Sequence, residues 1–518
     1  MGTWMDGYLA RLAKNREENL AAGGAERIEM QHGLGKLTAR ERIERLTDPE
    51  SFVEIGSRVR DVDPFRPPSE EARPSPSDGV IMGLAKIDGR QVMVYSMDFT
   101  VMSGSVGDQG VWKIAELVQM AGQEQVPLIG IIDSAGSRIG IERGKVGLNG
   151  MGQLVRNYCL YSGIIPQITL LLGPCTGPLA QIPALSDFLI VHRDTGFLWL
   201  GGEIENDDAG TADFHMAVSG QCDLLAANDE EAIELTRRLL GFMPQNCWEA
   251  PSSVATDDDP RRSEESLLDV MPDDPRFTYD MHDIIELIVD DGEFLELKED
   301  FAPNLIVGFA RFDGIPVGIV ASNPDELSGI MEPDSSDKYD KFMMFLDAFD
   351  IPILNLSDTT AYPPGDRWER MGVIRHGAKN LHGYTHLTNP KITLVLRRSY
   401  GGSNITMGCS KMGPDFIFGW PTAEFAPTGP ESIVQAIFHK ELAKAREEGN
   451  YDEVYNAFLT PIREQFSVFN LATVFTSWYT VHEIIDPRET RSYIVNALHA
   501  TANKREESPD KKRWVKPA

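Results

Sequence analysis

Cysteine is scarce: Cys159, Cys175, Cys222, Cys247 and Cys409 are the five in 518 residues, and none stands in a CxxC pair. That excludes a disulfide framework and a zinc ribbon, and points to a reducing compartment, the cytoplasm. Basic residues are also short, 49 against 79 acidic ones for a net charge of −30, so the chain lacks the positive field of a nucleic-acid surface. A polyanionic ligand would need a local basic or amide-lined pocket. No window approaches 18 uncharged apolar residues, which predicts no membrane span. The N-terminal stretch is charged every few residues and has no apolar core, which predicts no secretory signal, and Asp6 stands where a myristoylation motif carries Ser or Thr. The ten histidines show neither HExxH nor HxH spacing, so no metal site is expected. The sequence SGSVGDQG (103–110) has neither the GxGxxG register nor a Walker lysine, and GxSxG is missing, so a nucleotide fold and a serine hydrolase are set aside.

What the chain does contain is itself, twice. VIMGLAKIDGRQVMVYSMD (80–98) matches LIVGFARFDGIPVGIVASN (305–323), two β-type runs joined at Asp88-Gly89 and Asp313-Gly314, with 313 − 88 = 225. An Asp-Gly pair between such runs predicts a two-residue hairpin. VPLIGIIDSAGSRIG (126–140) matches IPILNLSDTTAYPPG (351–365) at 358 − 133 = 225, and PQITLLLGPCTGP (166–178) matches PKITLVLRRSYGG (390–402) at 390 − 166 = 224. Helical patterns at 112–123 and 338–349 each lead into a strand, which predicts crossover connections and an α/β layered fold. The expected organisation is a first domain over 1–255, a Pro, Ser and Asp-rich linker over 256–276 and a second domain over 277–518. Both ends of the chain read as charged helices.

In an α/β fold, ligands gather where strands end and helices begin. Each copy has two such turns: DSAGSR (133–138) and GPCTGP (173–178) in the first, DTTAYPPG (358–365) and SYGGSN (399–404) in the second. Small residues there let a ligand approach backbone N–H groups able to hold an oxyanion. His215 could act as an acid or base, although a lone histidine is more often structural, and His376 in RHGAKN reads as a helix residue.

The stretch GAERIEMQHGLGKLTARERIERLTDPESFVEI, then FTVMSGSVG, the duplicated turns, VIRHGAK (373–379) and GWPTAEFA (419–426) together resemble the carboxyltransferase (β) subunits of biotin-dependent acyl-CoA carboxylases, over nearly the whole chain. The resemblance implies two tandem crotonase-like domains, the first for acyl-CoA and the second for carboxybiotin on a separate carrier. It implies a homo-oligomer, a hexamer built from dimers, with sites formed between the first domain of one protomer and the second of another, and a biotin carboxylase or carrier subunit as partner. The implied chemistry passes through an enolate at the α carbon of the thioester, held by two oxyanion holes and no strong side-chain base. Carried over residue by residue, the acyl-side hole maps to Gly136 and Gly177, with Ala135 and Arg138 beside it, and the biotin-side hole to Gly402 and Ser403, with Gly401 beside it.

Departures from the family pattern qualify this. Where the acyl-side loop usually has a second glycine, Pro178 stands, and proline has no N–H to donate. The PGF turn has become Thr360-Ala361-Tyr362, and the Asp associated with small acyl groups is Ile405, which suits a larger, apolar acyl chain. Three functions are therefore expected in order: carboxyltransferase subunit, decarboxylase of a malonyl-type thioester without biotin, with Tyr362 and His215 as weak candidate proton donors, and non-catalytic assembly subunit.

Overall fold

The computed structural model describes residues 4–61, 75–138, 147–206, 208–274, 277–409, 412–469, 481–506, 509–511 and 514–517. It divides into two units, Met1–Glu249 and Ala250–Ala518. The segment expected to be a linker, 256–276, makes contacts in the second unit: Leu267 is buried in its core, and Arg262 donates to the carbonyls of Leu287 and Val289.

The first unit carries one sheet of β1 (Val53–Ile55), β2 (Val80–Ile87), β3 (Arg90–Met97), β4 (Leu128–Ser134), β5 (Gln167–Thr176), β6 (Phe188–His192), β7 (Phe197–Trp199) and β8 (Leu224–Ala226). Its order is β1-β2-β3-β4-β5-β6-β8, with β7 paired to the far end of β5. The second unit repeats the plan with β9 (Phe294–Leu297), β10 (Leu305–Phe312), β11 (Ile315–Ser322), β12 (Ile353–Thr359), β13 (Lys391–Tyr400), β14 (Phe416–Gly419), β15 (Glu424–Ala426) and β16 (Glu483–Ile484). Here the order is β16-β14-β13-β12-β11-β10-β9, with β15 on β13. In each unit an antiparallel hairpin, β2–β3 or β10–β11, gives way to parallel strands fed by helices. The helices Asp108–Glu124 and Pro333–Ala348 make the crossovers into β4 and β12. No helix among the described residues is long and apolar enough to cross a membrane.

The hairpin turns are as the Asp-Gly pairs require. Asp88 and Gly89 have φ of 49° and 79°, and Asp313 and Gly314 have 53° and 74°. Positive φ at both central residues matches the right-handed twist of the strands. A carboxylate outside each turn accepts from both of its N–H groups, Asp48 in the first unit and Asp290 in the second.

A less familiar device is duplicated after β3 and β11. Met102, Ser103 and Gly104 have φ of 53°, 56° and 63°, and Leu327, Ser328 and Gly329 have 47°, 57° and 63°. Left-handed backbone costs roughly 1–2 kcal/mol per non-glycine residue, so surrounding contacts must hold it. The glycine is forced by its neighbour: a Cβ on Gly104 would lie 2.1 Å from the Asp133 carbonyl oxygen, and one on Gly329 2.5 Å from that of Asp358.

Asp133 and Asp358 themselves are fully buried at the ends of β4 and β12. Asp133 accepts from Lys36 at 2.6 Å, Arg42 at 2.9 Å and Gln31 at 3.0 Å, all from the N-terminal helical arm. Arg42 also binds Asp229 at 2.8 Å, so the arm is pinned to the sheet by a buried four-charge cluster. Its helix, Ala39–Leu46, opens with a capping box between Thr38 and Glu41. Asp358 instead takes both cations from the neighbouring strand, Arg397 at 3.0 Å and Arg398 at 2.7 Å.

Removing one partner of a buried pair strands the other charge. Arg42→Met is therefore expected to lower stability by about 3–5 kcal/mol. Arg45→Met, in the exposed pair with Glu230 on the same helix, should cost about 1 kcal/mol at most. Thermal unfolding of the two variants side by side tests this, and equal losses would contradict the cluster's role.

Candidate active site

In the first unit, β4 and β5 run parallel and end together, with Ser134 opposite Cys175. This brings the turn Ala135–Arg138 against the turn Gly177-Pro178. The Thr176 hydroxyl donates to the Ala135 carbonyl at 2.8 Å, and a Cβ on Gly136 would fall 2.5 Å from the Thr176 carbonyl oxygen. Gly136, at φ 93°, is thus confined to glycine twice over, by angle and by space. Gly177 is different: its φ is 69°, but a Cβ there would meet nothing within 4 Å, so its face is open. Gly177 begins the short 3-10 helix Gly177–Ala180, and its N–H has no turn of helix behind it to donate to. Pro178 is exposed at the next position, where a proline fits a helix start and contributes no donor.

The turn Ala135–Arg138 is tied into the fold more fully than its sequence suggests. The Gly136 N–H, expected as an oxyanion donor, is donated to the Ser134 hydroxyl at 3.0 Å, and that hydroxyl donates to the Gly104 carbonyl at 2.7 Å. The Ala135 N–H goes to the Ser103 carbonyl. The Arg138 guanidinium, expected beside a ligand, is an internal clamp: it binds Asp78 at 2.6 Å, Asp61 at 3.4 Å and the Ser105 carbonyl at 2.7 Å. Burial raises the Asp78 carboxyl above its ordinary range, opposed in part by Arg138 beside it. The left-handed segment and the turn are thereby fastened together, and with the N-terminal arm they enclose a cleft of about 720 Å³ lined by Gly23, Arg27, Thr100, Met102, Ala135 and Ser137 among others.

Arg27 was not singled out from sequence. Its guanidinium donates to the Thr100 carbonyl at 3.1 Å, and no carboxylate pairs with it among the described residues. Among the described residues it is the cleft's uncompensated cation, since Arg138 is neutralised. The arm approaches so closely that a Cβ on Gly23 would overlap the Thr100 carbonyl oxygen, at 1.9 Å.

His215, on the helix Ala212–Ala217, faces away from proton transfer. Its Nδ1 pairs with the Ser219 hydroxyl at 2.7 Å and its Nε2 with the Leu198 carbonyl at 2.8 Å, while burial lowers its pKa. Nε2 ties the helix to Leu198 of β7 and Nδ1 ties it to Ser219 just beyond its end, so both nitrogens carry structural contacts. His376 pairs with Asp337 at 2.7 Å on the helix Val373–Thr385.

In the second unit, Thr360, Ala361 and Tyr362 follow β12, and Gly401, Gly402, Ser403 and Ile405 form the start of the helix Gly401–Thr406 after β13. The two turns meet through Tyr362. A Cβ on Gly402 would lie 3.1 Å from its ring, one on Gly377 3.0 Å, and its hydroxyl pairs with Thr406 at 2.7 Å. Gly402 is exposed and Ile405 half-buried beside it. Ser403 is buried, and its hydroxyl donates to the Tyr400 carbonyl at 2.8 Å. As the first residues of a helix, Gly401, Gly402 and Ser403 have N–H groups without intrahelical acceptors, so they can hold developing negative charge. The backbone scaffold is shared with the first unit: the Met331 N–H donates to Ala361 as the Val106 N–H donates to Gly136. Burial raises the Tyr362 phenol, so it keeps its proton at neutral pH.

The family model for the carboxyl transferase domain matches residues 30–515. The chain is 37% identical over 524 residues to the propionyl-CoA carboxylase carboxyltransferase subunit of Haloferax mediterranei, covering 98% of each. It is 39% identical over 504 residues to the methylmalonyl-CoA decarboxylase subunit alpha of Veillonella parvula, covering 95% of each. The crystal structure of transcarboxylase 12S, a hexamer with methylmalonyl-coenzyme A and methylmalonic acid bound, superposes with a TM-score of 0.91 at 37% identity, covering 100% of this chain and 99% of that one.

The clamp and the free cation are distinguishable. Arg138→Ala leaves Asp78 buried and unpaired and should cost about 3–5 kcal/mol in thermal unfolding. Arg27→Ala should cost less than about 1 kcal/mol and weaken binding of a phosphate-bearing ligand, measured by calorimetry, by roughly tenfold, the worth of one charge-assisted contact.

Proposed function

The chain belongs to the carboxyl transferase family, and on that premise we infer that it is the carboxyltransferase subunit of a biotin-dependent acyl-CoA carboxylase whose acyl group is larger and more apolar than propionyl. It is an enzyme of the acyl-CoA carboxyltransferase and decarboxylase family, with two crotonase-like units. The observation that carries the finer reading is the second-unit turn, where Gly402 and Ser403 present helix-start N–H groups beside Tyr362, with Ile405 in the same helix. No carboxylate stands at position 405 to repel an apolar chain.

In this reading the first-unit cleft takes the CoA thioester. Arg27 meets a phosphate of the CoA, and Gly177 donates its N–H to the thioester oxygen as the enolate forms. Gly136 acts as a rigid support, its own N–H being spent on Ser134. In the second unit Gly402 and Ser403 would hold the ureido oxygen of a carboxybiotin brought by a separate carrier, which when bound supplies the carboxyl group. Neutral N–H donors fit that group, because its charge develops only as the carboxyl leaves. Tyr362 walls this site and Thr360, Ala361 and Gly401 shape its floor. The working state is a homo-oligomer, as transcarboxylase 12S is a hexamer.

One observation favours a second reading. Pro178 removes a donor from the first-unit hole, worth about 2.7–4 kcal/mol in enzymes that rely on one. Decarboxylation of a malonyl-type thioester without biotin reaches the same enolate by loss of CO2, with no base to abstract the α-proton and no biotin-side oxyanion hole required, and is the reaction that a thinned acyl-side hole would favour.

The purified protein should be incubated with a series of acyl-CoA and malonyl-type CoA esters, with and without a biotinylated carrier, and products followed by mass. Carboxyl transfer that is blocked by avidin and fastest with longer acyl chains is expected; decarboxylation indifferent to avidin would replace the first reading with the second. Pro178→Gly restores a possible donor and should raise kcat for carboxyl transfer by up to about 10² while costing roughly 1 kcal/mol of stability. An unchanged kcat would show that a donor at 178 is not used.

A further inference from the structure

The two units differ most sharply inside, along the central strand beneath the turn. On one face of β12 stand Asn355, Ser357 and Thr359, alternate residues and all fully buried. The matched residues of β4, at 355 − 130 = 225, are Gly130, Ile132 and Ser134. The first unit fills this face differently: Gly130 makes room for Tyr95, whose hydroxyl pairs with Tyr158 at 2.9 Å, Ile132 is apolar and Ser134 is bonded on both sides, which leaves Thr169 Oγ1 on the neighbouring strand as a buried polar atom beside Gly130, with the Tyr158 hydroxyl near it.

The second unit is more polar here. Asn355 lies in register with Thr393 and Thr359 with Ser399, so the polar face continues onto β13. Asn380 and Tyr384, one turn apart on the helix Val373–Thr385, are fully buried too. The Tyr384 hydroxyl and the Thr393 hydroxyl crowd one spot, 2.2 Å and 2.9 Å from where a Gly408 Cβ would be. Burial raises the Tyr384 phenol, opposed by Thr393 and Asn355 beside it, and raises that of Tyr362, opposed by Thr406 and Asn380. The Tyr384 hydroxyl thus meets Asn355 and Thr393, and Asn380 meets the Tyr362 hydroxyl, yet Ser357 Oγ, Thr359 Oγ1 and the remaining amide atom of each asparagine are buried without a partner among the described residues.

Buried polar atoms without partners cost about 1–3 kcal/mol each, so this many in one place require a ligand rather than tolerance. The groups are all neutral and offer donors and acceptors alike, while the nearby cations Arg397 and Arg398 are bound to Asp358. An ion is therefore disfavoured, and a small neutral molecule able to give and take hydrogen bonds fits. Ser357 has two heavy atoms fewer than Ile132, which frees volume on the order of one water.

We propose that the second unit contains an internal water-binding site between β12 and the helix Val373–Thr385, lined by Asn355, Ser357, Thr359, Asn380 and Tyr384, which supports the turn Thr360–Tyr362 from beneath. Bound water joins Thr359, the last residue of β12, to Asn380, which lies beside Tyr362. In the first unit Tyr95 and Ile132 occupy the corresponding space. The inference does not depend on the reaction assigned above.

A high-resolution crystal structure of the unaltered protein should show ordered water within hydrogen-bond distance of Asn355 and Asn380; a dry contact, with the amides repaired by bonds to protein, would overturn the site. Asn380→Leu separates support from mere occupancy. Loss of water contacts should lower the melting temperature by roughly 2–8 °C. An unchanged or raised melting temperature would mean that the amide bears nothing, and would overturn the claim that the water supports the turn.

Discussion

Everything near the candidate site hangs on a buried carboxylate at the end of the central strand of each unit. Asp133 and Asp358 are both fully enclosed, and an ion there is tolerable only with cations in contact. The first unit meets this demand from outside the sheet, with Lys36 and Arg42 of the N-terminal arm, and the arm then becomes a wall of the cleft. The second meets it from the adjacent strand with Arg397 and Arg398, and has no need of an arm. The carbonyl of the same aspartate sets the next constraint, since Gly104 and Gly329 must lack a side chain to pass it, and the left-handed segments follow. Turn, cleft wall and strand end are thus consequences of one charge.

Much of the fold was legible because it repeats and because its signals are local. The Asp-Gly hairpins, the crossover helices and the pairing of the two turns in each unit all follow from short-range pattern or from the offset of 225 between Asp88 and Asp313. The left-handed segments were open to the same method, since MSG at 102–104 and LSG at 327–329 stand in that register. What escaped was mostly long-range. Arg138 lines the cleft, but its pairing with Asp78, sixty residues earlier, carries no local signal. Gly136 looks like a donor until the Ser134 hydroxyl, two residues away, competes for its N–H, a local option that serine offers any turn. Arg27 drew no notice because one arginine in a charged helix carries no pattern; only its place in the cleft and its want of a carboxylate distinguish it.

The two copies have kept one backbone and divided the chemistry. In the first, the turn after β4 is closed on itself by Ser134 and Arg138, and Gly177 keeps an open N–H while Pro178 after it has none. In the second, the helix start at Gly401–Ser403 retains its donors, with Tyr362 over Gly402 and Ile405 beside it. A rigid turn with one donor suits a ligand anchored elsewhere, as by a distant phosphate on Arg27, since positioning then supplies what a second hydrogen bond would. A turn with several donors and a polar interior suits a ligand whose charge appears only during reaction, because preorganised dipoles act then and cost nothing before. The duplication therefore yields two unlike sites because the residues beneath each turn, Gly130 and Ile132 against Asn355 and Ser357, decide how freely that turn can be supported.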